Sequence, residues 1–253
     1  GFGDYGFPES HAASFALLVY FSAWLKRHEP AAFYCGLLNS QPMGFYSPSQ
    51  LVQDARRHDI EVRPVDVLES EWESTLEAPA YQGEIAAKQP AVRLGFQRIK
   101  GFKADSADRV IHARNNHPIQ SIKDIAKRAR LDKGDLARLT EAGAFKNLSG
   151  HRYQTHWQVR GLLPPSPLLD KELKVAESNQ QYAPQKYQEE TPVVLPPPLE
   201  TDDLRADYTS LGLTLGRHPM ALLREKPNAP FRRCKTAVEL RALNHGRFVQ
   251  VSG

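Results

Sequence analysis

Apolar residues recur at helical spacing along the first 60 residues of the chain. The pattern predicts three helices, which run from Pro8 to about His28, from Ala31 to Leu38 and from Ser47 to about His58. The third begins with Ser47-Pro48-Ser49-Gln50, which has a serine cap, a proline at the first helical position and a glutamine at the third. The amino-terminal region is therefore predicted to be helical.

Short runs rich in β-branched and apolar residues follow these helices. They lie at residues 60–67, 72–76 and 91–96, and they predict a small antiparallel sheet. Helical spacing returns at Ile122 to Arg130 and at Asp135 to Ala142, with Gly143 as a stop. These two segments predict a helical hairpin.

The pattern changes again after residue 160. Residues 161–206 contain repeated prolines and little apolar periodicity, which is typical of a stiff, exposed linker. An amphipathic pattern recurs from Asp207 to Leu223, and Arg247 to Val251 predicts a strand. Because that strand has no following partner, we expect the sequence to be a piece of a longer protein.

The segment Ile99 to Ile111 carries the most specific chemistry. An apolar-x-Gly-apolar turn is typical of a helix-hairpin-helix, a module whose turn amides bind a nucleic-acid phosphate. Gly101 is the predicted hinge, since only glycine adopts positive φ there without steric cost. Lys103 stands where many such hairpins have a second glycine. The apolar face that packs the helices is predicted to comprise Ile99, Phe102, Ala107, Val110 and Ile111.

Charge is segregated along the chain. The 253 residues have a formal net charge of +4 and are 41% apolar, which is enough for a folded core. Residues 91–160 contain 15 Lys and Arg against six Asp and Glu, a net charge of +9, whereas residues 61–90 and 161–209 each carry −5. A basic cluster that coincides with a phosphate-binding turn favours a nucleic-acid partner over a merely solvated face.

Other chemistries find little support. Cys35 and Cys234 form no Cys-x-x-Cys motif, so neither a disulfide framework nor a zinc site is predicted, and a reduced, cytoplasmic setting is the default. The longest apolar run, residues 12–25, is shorter than the roughly 20 residues that a bilayer requires. Two-metal phosphoryl transfer needs clustered carboxylates, and the sequence contains no Asp-x-Asp. We therefore predict no catalytic residues and no metal ligands in this chain.

Several motifs resemble one family of enzymes. The segment Tyr5 to Leu18, with Gly6-Phe7 and Ser10-His11-Ala12-Ala13, resembles the fingers domain of bacterial C-family DNA polymerases. The continuation is similar to the error-prone, damage-induced branch of that family, which acts in translesion synthesis. Its motifs are Leu37-Leu38-Asn39-Ser40-Gln41-Pro42-Met43-Gly44-Phe45-Tyr46, Leu51 to His58, Val92 to Phe96, Ala142 to Phe145 and His218-Pro219.

The resemblance implies a mostly α fold and a division of the chain. Residues 1–90 would be the later part of the fingers, with the small sheet, and residues 91–160 a tandem helix-hairpin-helix region. Residues 161–206 would be the proline-rich linker, and residues 207–253 a connecting helix with the first strand of a truncated OB-fold. The catalytic palm and its Mg²⁺ would lie outside this chain, which is therefore predicted to be inactive alone.

The predicted partner is primed or duplex DNA, bound without sequence preference. The longer polymerase would also use deoxynucleotides, with other translesion proteins as further partners; no clear sliding-clamp motif is found. His11 is the candidate for facing the nucleotide or template, with a capping or packing role as the alternative. The rival function is a non-catalytic hairpin or adaptor module of a repair protein. The predicted DNA contacts are Arg98, Lys100, Gly101, Lys103 and Arg109.

Overall fold

The computed structural model describes residues 9–79, 89–162, 193–225 and 230–251, and this part of the chain is mostly helical, as predicted. Its helices are α1 (Glu9–His28), α2 (Pro30–Asn39), α3 (Pro48–Arg57), α4 (Ala104–Asn116), α5 (Ile122–Arg128), α6 (Lys133–Glu141), α7 (Lys146–Ser149), α8 (Arg152–Gly161), α9 (Glu200–Ser210), α10 (Pro219–Glu225) and α11 (Ala237–Arg241). The strands are β1 (Val62–Arg63), β2 (Thr75–Glu77) and β3 (Ala91–Arg93), and 3-10 turns lie at Phe96–Arg98 and Pro230–Arg233.

The amino terminus of α3 has the cap that its sequence predicts. The Ser47 side chain accepts a hydrogen bond from the Gln50 amide at 3.3 Å, and the Gln50 side chain accepts one from the Ser47 amide at 2.9 Å. Pro48 occupies the first helical position, where the missing N–H costs nothing. This capping box confirms the predicted helix start.

The small sheet is mixed rather than antiparallel, which corrects the prediction. The strand order is β1-β3-β2, with β1 parallel to β3 and β2 antiparallel to it. Glu77 on β2 accepts hydrogen bonds from Arg93 on β3 at 2.8 Å and from Arg63 on β1 at 2.6 Å, so one carboxylate joins all three strands. An apolar alternation reports which face of a strand is buried but not its direction, and the sequence could not reveal the parallel pair.

One hydrophobic core runs through the residues before β3 and the hairpin region that follows it. Leu94 and Phe96, which follow β3, are fully buried in the same cluster as Tyr34 of α2 and Leu139 of α6. The middle strand of the sheet thus belongs to the segment that leads into the hairpins. Buried residues on both sides of residue 90 thus share one core, and the domain boundary placed there stays a prediction.

The region after the hairpins differs in detail from the expected linker and strand. Most of the predicted linker, residues 163–192, lies outside the described residues, and α9 begins at Glu200, ahead of the expected start at Asp207. The strand predicted at 247–251 is not formed: Val251 makes one isolated parallel bridge with Lys235, and Phe248 is fully exposed. Within the described residues no second strand lies beside this segment to complete a sheet.

Candidate nucleic-acid interface

The first hairpin has the backbone geometry that its sequence predicts. Gly101 has φ +73°, and the Phe102 amide donates to the Ile99 carbonyl at 3.2 Å to close the turn. Ile99 and Phe102 are buried, and the Phe102 ring lies 5.7 Å from that of Phe96. The element before the turn is the 3-10 turn Phe96–Arg98 rather than a full helix. The core therefore fixes the turn against α4.

Backbone donors at this hairpin are left open. Lys103 is the N-cap residue of α4, and its side chain makes no capping hydrogen bond. Among the described residues, the amides of Gly101, Lys103, Ala104 and Asp105 have no acceptor. Helix amino termini attract anions through such unpaired N–H groups and through the helix dipole. The turn can therefore bind an anion such as a phosphate.

Two of the predicted DNA contacts are available beside these amides. The Lys103 residue is exposed, and its side chain has no hydrogen bond or ion pair within the described parts of the chain. Arg98 is half-buried, and its Nε atom is buried without a hydrogen-bond partner. Burial lowers the pKa of the Arg98 guanidinium from its ordinary value. The contact of Arg98 with DNA stays a prediction.

The other two predicted cations bond to the protein itself. Lys100 donates through Nζ to the Tyr208 carbonyl at 3.0 Å and through its amide to the Ser210 carbonyl at 2.9 Å, at the end of α9. Arg109 donates through Nε to the Ala129 carbonyl at 2.8 Å, at the end of α5. Both cations lie at the carbonyl end of a neighbouring helix, where the dipole favours positive charge. Their contact with DNA stays a prediction.

His11 lies at the start of α1, far along the sequence from the hairpins. Its side chain is exposed, and its ring lies 4.4 Å from that of Phe15, with the planes tilted by 57°. Several large apolar side chains of α1 are exposed as well, Leu18 and Phe21 among them. The packing alternative therefore has a local partner, and the role in facing a nucleotide or template stays a prediction.

The second hairpin, between α5 and α6, is also formed, but its helix amino terminus is capped by a side chain of the chain itself. Asp132 is the N-cap residue of α6, and its carboxylate accepts a hydrogen bond from the Asp135 amide at 2.7 Å. That bond lowers the pKa of the Asp132 carboxyl, and so do a bond from the Gly134 amide and the charges of Arg138 and Lys103. A carboxylate of the chain thus occupies the position that an anion takes at an open helix terminus.

A buried carboxylate holds the two hairpins together. Asp135 is 3% exposed and accepts hydrogen bonds from the Ser106 hydroxyl at 2.8 Å and from Arg109 at 3.4 Å. Since Ser106 and Arg109 belong to α4 and Asp135 to α6, this contact fixes the angle between the two modules. Nothing in the local sequence pattern distinguishes Asp135 from a solvated helix carboxylate, and the sequence analysis did not identify it.

The 15 cations of residues 91–160 fall into three groups, the first of which is Lys100 alone, bonded to the Tyr208 carbonyl. Five are in ion pairs: Arg93, Arg109, Arg114, Arg128 and Arg152. Nine have no hydrogen bond from their side chains and no ion pair with any described residue: Arg98, Lys103, Lys123, Lys127, Arg130, Lys133, Arg138, Lys146 and Arg160. The basic region therefore combines a scaffold of bonded arginines with a surface of unpaired cations.

A cavity elsewhere in the molecule is lined by an arginine and two carboxylates that form ion pairs with each other. A space of about 430 Å³ lies between α8, α9 and residues 211–217. Arg152 lines it and forms ion pairs with Asp203 and Asp207 of α9, which stabilise the packing of α9 on α8. The described residues contain no group of His, Cys, Asp and Glu that could hold a metal ion, and no described helix is long and apolar enough to cross a membrane.

The chain is similar to a known motif and to several known proteins. A model of the helix-hairpin-helix motif matches residues 59–155. The chain is 49% identical over 253 residues to an error-prone DNA polymerase of Alkalilimnicola ehrlichii and 48% identical over 253 residues to one of Pseudomonas aeruginosa. It is 53% identical over 226 residues, 89% of the chain, to that of Azoarcus sp..

The chain spans about a fifth of the length of these relatives: 22% for the first two and 20% for the third. The first two alignments cover the whole chain. The predicted resemblance is confirmed: the chain corresponds to one segment of the error-prone DNA polymerases.

Proposed function

We propose that this chain is the DNA-binding segment of an error-prone DNA polymerase that acts in damage-induced translesion synthesis. Its hairpin region would hold the backbone of primed or duplex DNA without reading its sequence. The observation that carries this proposal is the open first hairpin, where four unpaired amides adjoin the unpaired Lys103 in a region of net charge +9. Backbone contacts of this kind position a protein on DNA but carry no base information.

The polymerase activity would belong to the longer protein. Its palm would supply the carboxylates and the Mg²⁺ that phosphoryl transfer requires, and it would bind the deoxynucleotides. Other translesion proteins are further partners of that longer protein, and its substrate implies a cytoplasmic location. The residues before β3, which resemble the fingers of these polymerases, would line the nascent base pair, with His11 facing the nucleotide or template.

A titration of labelled DNA with the chain tests the binding proposal. Fluorescence anisotropy should show binding to primed and duplex DNA of unrelated sequences with similar affinity. The logarithm of the affinity should fall linearly with the logarithm of the salt concentration, by about 0.9 per neutralised phosphate. Absence of salt-dependent binding would contradict the proposal and favour the adaptor module, whose partner is a protein.

A primer-extension assay separates the segment from the whole enzyme. Because the sequence contains no Asp-x-Asp, we expect the purified chain to add no nucleotides to a primed template with Mg²⁺ or Mn²⁺. A heat-inactivated sample and a mock purification control for contaminating polymerases. Extension that exceeds both controls would contradict the proposed division of labour.

A further inference from the structure

Arg138 of α6 lies across the glycines of both hairpins. A Cβ atom at Gly101 would stand 3.2 Å from Arg138 Nε, and one at Gly134 would stand 2.8 Å from a terminal nitrogen of the same guanidinium. Two turns that are 33 positions apart in sequence therefore leave room for one arginine side chain. Its guanidinium adjoins the turn whose amides are open.

The Arg138 side chain is half-buried and has no hydrogen bond or ion pair with any described residue. Arg109, on the adjacent helix, has four such hydrogen bonds. A guanidinium presents five donors in a planar fork and is suited to phosphate oxygens. Arg138 is thus held near the first turn by packing, with its donors unused.

The Asp132 carboxylate lies beside the Arg138 guanidinium, since a Cβ atom at Gly134 would stand 3.1 Å from Asp132 Oδ1 and 2.8 Å from a terminal nitrogen of Arg138. After the amide of Asp135 and that of Gly134, the charges of Arg138 and Lys103 are what lowers the pKa of the Asp132 carboxyl. Both cations therefore lie close to one carboxylate. Asp132 is engaged by the amides of its own helix, so it leaves both cations with donors for a further anion.

We propose that Arg138 contacts the same DNA phosphate as Lys103, so that the two hairpins form one composite phosphate site. The first hairpin supplies the open amides and Lys103, and the second hairpin supplies Arg138 while Asp132 caps its own helix. This inference rests on the proposed DNA-binding function and adds the residue that joins the hairpins at the ligand.

The experiment compares the full chain with the variants Lys103→Gln, Arg138→Gln and their combination. Arg57→Gln on α3 is the matched control, since Arg57 is exposed, has no ion pair with a described residue and lies outside the hairpins. Each hairpin variant should weaken binding to all DNA sequences by about tenfold, and Arg57→Gln should not. Circular dichroism and thermal unfolding establish that every variant is folded.

The salt dependence decides whether the phosphate is shared. For one shared phosphate, the double variant should lower the log–log slope by about 0.9, and its loss of affinity should be smaller than the product of the two single losses. A decrease of about 1.8 would mean two separate phosphates and would overturn the inference. Unchanged binding by Arg138→Gln alongside weakened binding by Lys103→Gln would also overturn it, while the proposed function would stand. Absence of binding by the parent chain would overturn both.

A second variant moves Arg138 without removing its charge. Gly134 lies in α6 without positive φ, so Gly134→Ala suits the helix. Its Cβ atom would stand 2.8 Å from a terminal nitrogen of Arg138 and 3.1 Å from Asp132 Oδ1, so it is chiefly the end of the Arg138 side chain that must move. We expect weaker DNA binding without loss of thermal stability. Arg138→Lys, which keeps the charge, should retain the salt slope. Full affinity in the Gly134→Ala variant would contradict the assigned position of Arg138.

Discussion

The two hairpins follow similar backbone paths but differ at the residue that precedes the second helix. In the first hairpin this residue is Lys103, whose side chain leaves the amino terminus of α4 open. In the second it is Asp132, whose carboxylate caps α6. The left-handed residue lies two positions before the cap in both hairpins: it is Gly101, with φ +73°, in the first and Arg130, with φ +48°, in the second. The difference between the hairpins is therefore the cap: a carboxylate closes the amino terminus of α6, and none closes that of α4.

This difference shows that a repeated motif need not repeat its function. The self-capped hairpin supplies Asp135, which accepts a hydrogen bond from the Ser106 hydroxyl of α4 at 2.8 Å. It also carries Arg138 toward Gly101. The second hairpin thus stabilises and completes the first, and the pair has one open terminus instead of two.

The largest expected effect comes from the two glycines. Gly101→Val places a β-branched residue at positive φ and should lower the free energy of unfolding by about 2–3 kcal/mol. Gly134→Ala should leave it unchanged or raise it by up to about 1 kcal/mol, because alanine is the better helix former. Urea denaturation of both variants measures the contrast. Equal destabilisation of the two would mean that the positive φ of Gly101 does not set the cost of a side chain there.

The next variant converts the first hairpin into a copy of the second. Lys103→Asp supplies α4 with a capping carboxylate and should stabilise the fold by about 0.5–1 kcal/mol. It should nevertheless weaken DNA binding by more than about tenfold, since a carboxylate now occupies the anion position and a cation is lost. Anisotropy and thermal unfolding measure the two effects.

Lys103→Gln is the control for this conversion, because it removes the charge without adding a strong cap. We expect it to weaken binding less than Lys103→Asp and to leave stability nearly unchanged. If the two variants bind DNA equally, the amides of the first turn do not contact the phosphate.

Arg109 and Lys103 should respond in opposite ways to loss of charge. Arg109→Gln removes the hydrogen bonds to the Ala129 carbonyl and to Asp135, and it should cost about 1 kcal/mol of stability. The salt dependence of DNA binding should stay as in the parent chain. A lower slope in a folded Arg109→Gln variant would assign Arg109 to the DNA surface, as its sequence position suggested.

The sequence predicted well those features that are encoded locally. The capping box at Ser47, the hinge at Gly101 and the helical stop at Gly143, which has φ +71°, each depend on the geometry of a few neighbouring residues. The apolar face of the first hairpin also follows from helical spacing, and Phe102 and Val110 are buried as expected. Local rules therefore located the elements and the open turn.

Features that depend on distant partners were not predictable in this way. The parallel pairing of β1 with β3 and the start of α9 at Glu200 follow from tertiary packing. The same holds for the cations: nothing near Arg109 indicates its acceptor at Ala129, and nothing near Arg138 indicates the glycine of the other hairpin. The charged residues can be counted from the sequence. The sequence does not reveal which of them lack a partner in the folded chain.

The smallest expected effect is an acid sensitivity confined to the self-capped hairpin. The pKa of Asp132 is lowered chiefly by the hydrogen bond from the Asp135 amide, so the ionised carboxylate is the form that stabilises α6. This contribution is complete above the ordinary pKa of an aspartate, which is about 4, and is lost as the pH falls through the lowered pKa of Asp132. Asp132→Ala should therefore be less stable than the parent chain at pH 6, and the difference should shrink below about pH 4.

Thermal unfolding of both proteins between pH 6 and pH 2.5 measures this difference. The stabilisation by Lys103→Asp should fade over a similar acidic range. A difference between Asp132→Ala and the parent chain that persists at pH 2.5 would mean that the carboxylate does not act through its charge, and the contrast between the hairpins would then not be one of charge at the cap.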